Sequence, residues 1–108
     1  MESGENINNA TLWNTVPSSP DDVLTLYSPE VTGLKAACGL TIGSICEHAA
    51  ERITERNVTL STLVDVVKTA PITYPDRNPT RICQQKDNWK IVFSRVSGDI
   101  ITVVDLDG

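Results

Sequence analysis

His48 to Val67 reads HAAERITERNVTLSTLVDVV. Ala49 and Ile53 in this stretch continue an apolar stripe that starts upstream with Ile42, Ile45 and Cys46. A period of 3.6 residues therefore predicts a helix over Thr41–Arg56, opened by Thr41 or Gly43. His48, Arg52 and Arg56 follow one another at i, i+4 and i+8, forming a second stripe along the flank of the apolar face. A flank is half buried and half wet, which suits a group that must meet a substrate while the core holds it. Glu51 and Glu55 point away as surface residues. Asn57 is a helix stop, since asparagine tolerates the left-handed conformation. Thr59 is the N-cap of a second helix, in which Leu60, Leu63, Val64 and Val67 make an i, i+3, i+4, i+7 set, and Pro71 ends it.

Beyond Pro71 the period changes from 3.6 to 2. Ile72–Tyr74, Thr80–Gln84, Trp89–Val96 and Ile100–Leu106 read as strands. They are separated by a loop with two prolines at Pro75–Pro79, a tight turn at Lys86–Asn88 and a hairpin turn at Ser97–Asp99. In the third strand Trp89, Ile91 and Phe93 face one way while Lys90, Val92 and Ser94 face the other. Upstream, Ser28-Pro29-Glu30 has the form of a helix start, with serine as N-cap, proline at the first position and an acid in the first turn. That helix would bury Val31, Leu34, Ala37 and Cys38 and stop at Gly39; Asp21–Leu26 would be a short helix or an extended piece. Residues 1–20 form a polar, flexible lead-in, in which Leu12 and Trp13 are suited to tuck onto the body. The fold class is α+β: N-terminal helices packed on a C-terminal antiparallel β-meander of three to four strands, one domain over 21–108.

Charge is divided unevenly. Before His48, Glu2, Glu5, Asp21, Asp22, Glu30 and Glu47 stand against Lys35 alone, whereas acids and bases balance from His48 onward, so the net charge of -5 belongs to the first part of the chain. Such a balance argues against non-specific nucleic-acid binding by the whole surface, yet leaves the neutral part able to concentrate Arg and Lys in one cleft. Three cysteines, no CxxC and one histidine make a structural zinc site a poor fit. Cys38 and Cys46 are close enough in sequence for a disulfide in an oxidising compartment, with reduced packing thiols as the other state. No run is long enough to span a bilayer, and there is no signal-peptide pattern.

The order helix with His, helix, meander resembles the barnase–EndoU–colicin–RelE superfamily of small ribonuclease toxins. It is most similar to a domain found at the C-termini of bacterial polymorphic and contact-dependent inhibition toxins, where a pattern H-A-x-x-R-x-x-x-R-x-[VI]-[ST] precedes a second helix. Here that pattern is His48, Ala49, Arg52, Arg56, Val58 and Thr59, followed by Trp89–Ser94 (WKIVFS) and Asp99–Val104 (DIITVV). Glu55–Val67 also looks like the start of the tRNA-cleaving colicin catalytic domain. The resemblance covers about residues 45–106, and residues 1–44 carry no part of it.

It implies metal-independent RNA cleavage, without a cofactor, in which the ribose 2′-OH attacks the adjacent phosphorus and leaves a cyclic phosphate. His48 would then be the acid/base, as the one side chain whose ordinary pKa lies near neutrality. Arg52, one turn on, would hold phosphate with its fork, and Thr102 would supply a hydroxyl. Arg56, Arg81, Lys90 and Ser94 are the candidates for substrate binding. The implied partners are RNA, tRNA in particular, a cognate immunity protein and a host translation factor. The implied location is a larger toxin, secreted or delivered from the cell surface, that acts in the target-cell cytoplasm. The acidity departs from the many basic ribonuclease toxins. Each residue also has a plain structural reading: His48 as a hydrogen-bonded boundary residue, Arg52 and Arg56 as a solvated face paired with Glu51 and Glu55, Thr102 and Ser94 as ordinary strand residues, Trp89 as core. The competing function is a non-enzymatic acidic binding module, of immunity-protein or antitoxin type, that holds a basic partner.

Overall fold

The computed structural model describes residues 13–107. Its elements are α1 (Pro20–Val31), α2 (Glu47–Glu55), α3 (Leu60–Thr69), β1 (Ile72–Pro75), β2 (Arg81–Lys86), β3 (Trp89–Ser94) and β4 (Ile100–Asp105). The strands form one antiparallel sheet in the order β1-β2-β3-β4, so each turn joins spatial neighbours. The α+β class, helices first and meander second, is as the sequence predicts.

The second half follows the sequence closely. Thr59 caps α3 by accepting the Thr62 N–H at 3.1 Å, and Leu60, Leu63, Val66 and Val67 are buried. Asn57 adopts φ 57°, the left-handed stop between α2 and α3. Asp87 takes φ 55° in the β2–β3 turn. Residues 89–94 alternate as expected, but β3 ends at Ser94, because the Ser94 hydroxyl accepts the Val96 and Ser97 N–H groups at 3.2 Å and turns the chain.

The first half differs in two places. The helix starts at Ser19-Pro20, not at Ser28-Pro29: Ser19 caps it by accepting the Asp22 N–H at 3.2 Å, and Pro29 lies inside the last turn. The same cap grammar occurs twice, and the earlier copy prevails because it places Val23, Tyr27 and Val31 on one buried face. Residues 33–42 are consequently not helical. They fold as a small hairpin arm through Gly39 (φ 98°), with Lys35 bridged to Thr41 and the Ala36 N–H donating to the Leu40 carbonyl at 2.7 Å.

The second difference is the start of α2, which opens at Glu47 rather than Thr41. Ile42 and Ile45 are buried as expected, but from extended backbone. Ile45 forms a parallel bridge with Ile100, the Cys46 N–H donates to the Ile100 carbonyl at 3.0 Å and the Ile100 N–H to the Ser44 carbonyl at 2.8 Å. Segment 44–46 thereby lines the outer edge of β4. It approaches so closely that a Cβ on Gly43 would stand 2.5 Å from Asp99 Oδ1, and one on Gly98 would stand 2.0 Å from the Thr41 carbonyl oxygen.

The core lies between the helices and one face of the sheet. α1 packs on α2, α2 on β4, and α3 on β2 and β3. Ala49, Ala50 and Ile53 of α2 and the apolar face of α3 meet Ile91, Phe93, Ile100 and Val103. Trp13 and Trp89 pack against this core partly buried, whereas Leu12 lies outside the described residues. Gln84 is a polar side chain fully buried in the core: it donates to the Val66 and Val67 carbonyls at 3.0 Å and accepts the Cys38 N–H at 2.8 Å. It joins the sheet, the end of α3 and the hairpin arm. All three cysteines are free. Among the described residues no helix is long and apolar enough to cross a membrane, and no group of His, Cys, Asp and Glu is placed to hold a metal ion.

Candidate functional site

The seven residues singled out in the sequence fall into two groups. The first is on α2. His48 lies in its first turn and is exposed. Arg52 is half-buried and ion-paired with Glu55 one turn on, as the surface reading of this helix anticipates. Arg56 follows the helix end and is half-buried, with its Nε donating to the Val103 carbonyl of β4 at 3.2 Å. It pins the end of α2 to the outer edge of the sheet, a role beyond that of a solvated charge.

The second group occupies the face of the sheet turned away from the helices. Directly opposed residues in a sheet point to the same side, and neighbours along a strand to opposite sides. Val103 is in the core, so Thr102 points outward; its partner is Val92, opposite Cys83, opposite Tyr74. Arg81 pairs with Ser94, and Lys90 with Gln85 and Val104, on that same outward side. Arg81, Lys90, Ser94 and Thr102 thus share one face, opposite the face on which the described helices pack. The α2 stripe lies on the core side of β4, so Thr102 is separated from Arg52 and Arg56 by the strand itself.

The two groups approach each other at one corner. Ser44 and Cys46 flank the core residue Ile45; Ser44 is exposed, and Cys46 packs partly buried against the edge of the core. The Ser44 hydroxyl donates to Asp99 at 3.0 Å. Burial pushes the Cys46 thiol up, the Asp99 carboxylate pushes it further, and the Arg81 guanidinium opposes both. Arg81 and Asp99 are therefore near enough for their charges to act on Cys46, the N-cap of α2, whose first turn carries His48.

Cys83 and Val92 are buried although they lie on the open side, outside the main core. The Cys83 thiol donates to Asp76 Oδ1 at 3.7 Å, and Lys90 Nζ lies 5.7 Å from the centre of the Tyr74 ring. Burial raises the Cys83 thiol, with Lys90 opposing and Asp76 adding to the rise, so this sulfur stays protonated and poorly nucleophilic. Asp76 is held below the ordinary carboxylate range, first by the Asn78 N–H and in smaller part by the Cys83 thiol and by Lys90. Ser94 spends its acceptor capacity on its own turn.

Sequence reasoning left Tyr74 and Gln85 out of the site. Both are half-buried on the open face, and the Tyr74 hydroxyl donates to Gln85 Oε1 at 3.3 Å. The signal that places them is the register β1 to β2, which pairs Tyr74 with Cys83, and strand alternation alone does not supply it. Searched against protein-family models, curated proteins and solved structures, the chain finds no match.

Proposed function

We propose that this chain is a toxin-type ribonuclease domain that cleaves RNA, tRNA in the first place, without a metal ion. The 2′-OH attacks the adjacent phosphorus and leaves a cyclic phosphate, and a cognate immunity protein blocks the domain until it is delivered into a target cell. The reading is supported above all by one observation: Arg81, Lys90, Ser94 and Thr102 share the sheet face turned away from the described helices. A guanidinium, an ammonium and hydroxyls on rigid strands suit a phosphate whose charge grows in the transition state. His48, exposed in the first turn of α2, is the acid/base. Arg52, one turn on from His48 and ion-paired with Glu55, is the phosphate contact on α2, and Arg56 fixes the far end of the helix to β4. The resemblance of residues 45–106 to this class of toxins agrees with that division of labour.

The test is growth of bacteria on induction of the wild type beside His48→Ala, Arg81→Ala and Thr102→Val, with total tRNA run on a denaturing gel. Growth arrest with tRNA fragments is expected from the wild type only, with Arg81→Ala slowed by about 100-fold or more, as for loss of one transition-state donor. Growth without arrest and intact RNA in the wild type would reject the nuclease. The acids Asp21, Asp22 and Glu30, exposed on α1, would then recommend the binding module with a basic partner.

A further inference from the structure

The ribonuclease reading leaves two side chains of the open face without a task. Tyr74 begins the cross-strand row that runs through Cys83 and Val92 to Thr102, and Gln85 stands in the next row beside Lys90. Strands about 4.7–4.9 Å apart put Tyr74 and Thr102 roughly 14 Å from each other. The residues between them, Cys83 and Val92, are buried, with the Asp76 carboxylate against the Cys83 thiol, so a strand of RNA running from Thr102 to Tyr74 passes on the Lys90 side of that row. At the Tyr74 end, an aromatic ring, a cation above it at 5.7 Å and a side-chain amide lie together. The Gln85 oxygen accepts from the Tyr74 hydroxyl at 3.3 Å.

We infer that Tyr74 and Gln85 form a recognition subsite for one unpaired base of the RNA, a short way along the strand from the bond cut at Thr102. The inference rests on the ribonuclease reading. A base stacks on the Tyr74 ring, and the Lys90 ammonium exchanges the ring for a phosphate of the same strand. The bases of a duplex are already stacked and paired, so the substrate segment is single-stranded, a loop or an end. Gln85, its oxygen oriented by the Tyr74 hydroxyl, presents its amide to the edge of the stacked base.

The experiment uses the full chain and fluorescein-labelled 2′-O-methyl oligonucleotides of uracil, cytosine or adenine, which lack the attacking hydroxyl and stay intact during an anisotropy titration. Cleavage of unmodified, unstructured RNA is measured in parallel. Tyr74→Leu is expected to weaken binding of all three roughly 5- to 150-fold, the range for loss of one stacked base. Gln85→Leu is expected to weaken it by a smaller factor, and Tyr74→Phe, which keeps the ring, to retain affinity. RNA cleavage by the wild type together with unchanged affinity in Tyr74→Leu and Gln85→Leu would overturn the subsite and leave the nuclease standing. Neither cleavage nor binding by the wild type would overturn both.

Discussion

At the scale of single residues, Tyr27 shows how one buried hydroxyl gives the fold a pH limit. Its ring is fully buried and its hydroxyl donates to the Val58 carbonyl at 3.0 Å, linking α1 to the turn between α2 and α3. Burial pushes the phenol up to about 12, with the Leu60 N–H pulling it partly back. In the unfolded chain the phenol ionises near its ordinary pKa of about 10. Above that pH the unfolded state has released a proton that the folded state keeps. The contribution of Tyr27 is therefore complete below pH 10 and is lost as pH rises toward about 12. Tyr27→Phe should cost about 1–2 kcal/mol at neutral pH, because the Val58 carbonyl is left unpaired. Its stability should also fall less steeply in alkali than that of the wild type, and urea unfolding at both ends of the pH range checks the two statements. The residues of the candidate site were legible to different degrees. Lys90, Ser94 and Thr102 could be placed because they interrupt apolar positions at period 2. The bond from Arg56 to a backbone carbonyl of β4 could not, since every residue offers that acceptor and only the packed fold chooses one.

At the scale of elements, the chain reads well where one signal acts alone and poorly where two compete. α3 has a cap, a periodic face and a proline stop, and all three agree. Ile42 and Ile45 fit the stripe of α2 equally well as helix or as extended chain, since both forms bury them. The pairing of segment 44–46 with Ile100 decides the matter. The twin starts Ser19-Pro20 and Ser28-Pro29 are likewise equivalent locally, and the reach of Tyr27 and Val31 into the core selects the first. Gly98 is the point on which the added edge segment depends. It combines φ 76° with an approach that leaves no room for a Cβ. Gly98→Ala should destabilise the protein by about 2 kcal/mol or more, from a strained backbone and a displaced Thr41. Hydrogen exchange should then quicken at the Gly43 and Cys46 amides, which bond to Gly98 and Ile100. Protection at those amides equal to the wild type would show that the segment holds without the glycine.

At the scale of the whole molecule, the acids of α1 lie away from the proposed chemistry, while Glu47, Asp76 and Asp99 border it. The exposed acids Asp21, Asp22 and Glu30 are on α1, while Arg81 and Lys90 face outward from the strands on the other side of the sheet. Two phosphate contacts on a single strand predict a log-log salt slope of only about -1.4, at about -0.7 per contact. RNA binding that collapses over a modest increase in salt would point to a wider basic surface than this face provides. Gln84 has a consequence of a different kind, in time. The hairpins of the meander join neighbours in the chain and can close early, whereas the Gln84 amide bonds to residues 38, 66 and 67 only after three distant segments have met. Gln84→Leu should therefore steepen the loss of native molecules, with unfolding accelerated and refolding nearly unchanged in stopped-flow mixing. This side chain governs how long the folded molecule lasts, and hardly at all how soon it is reached.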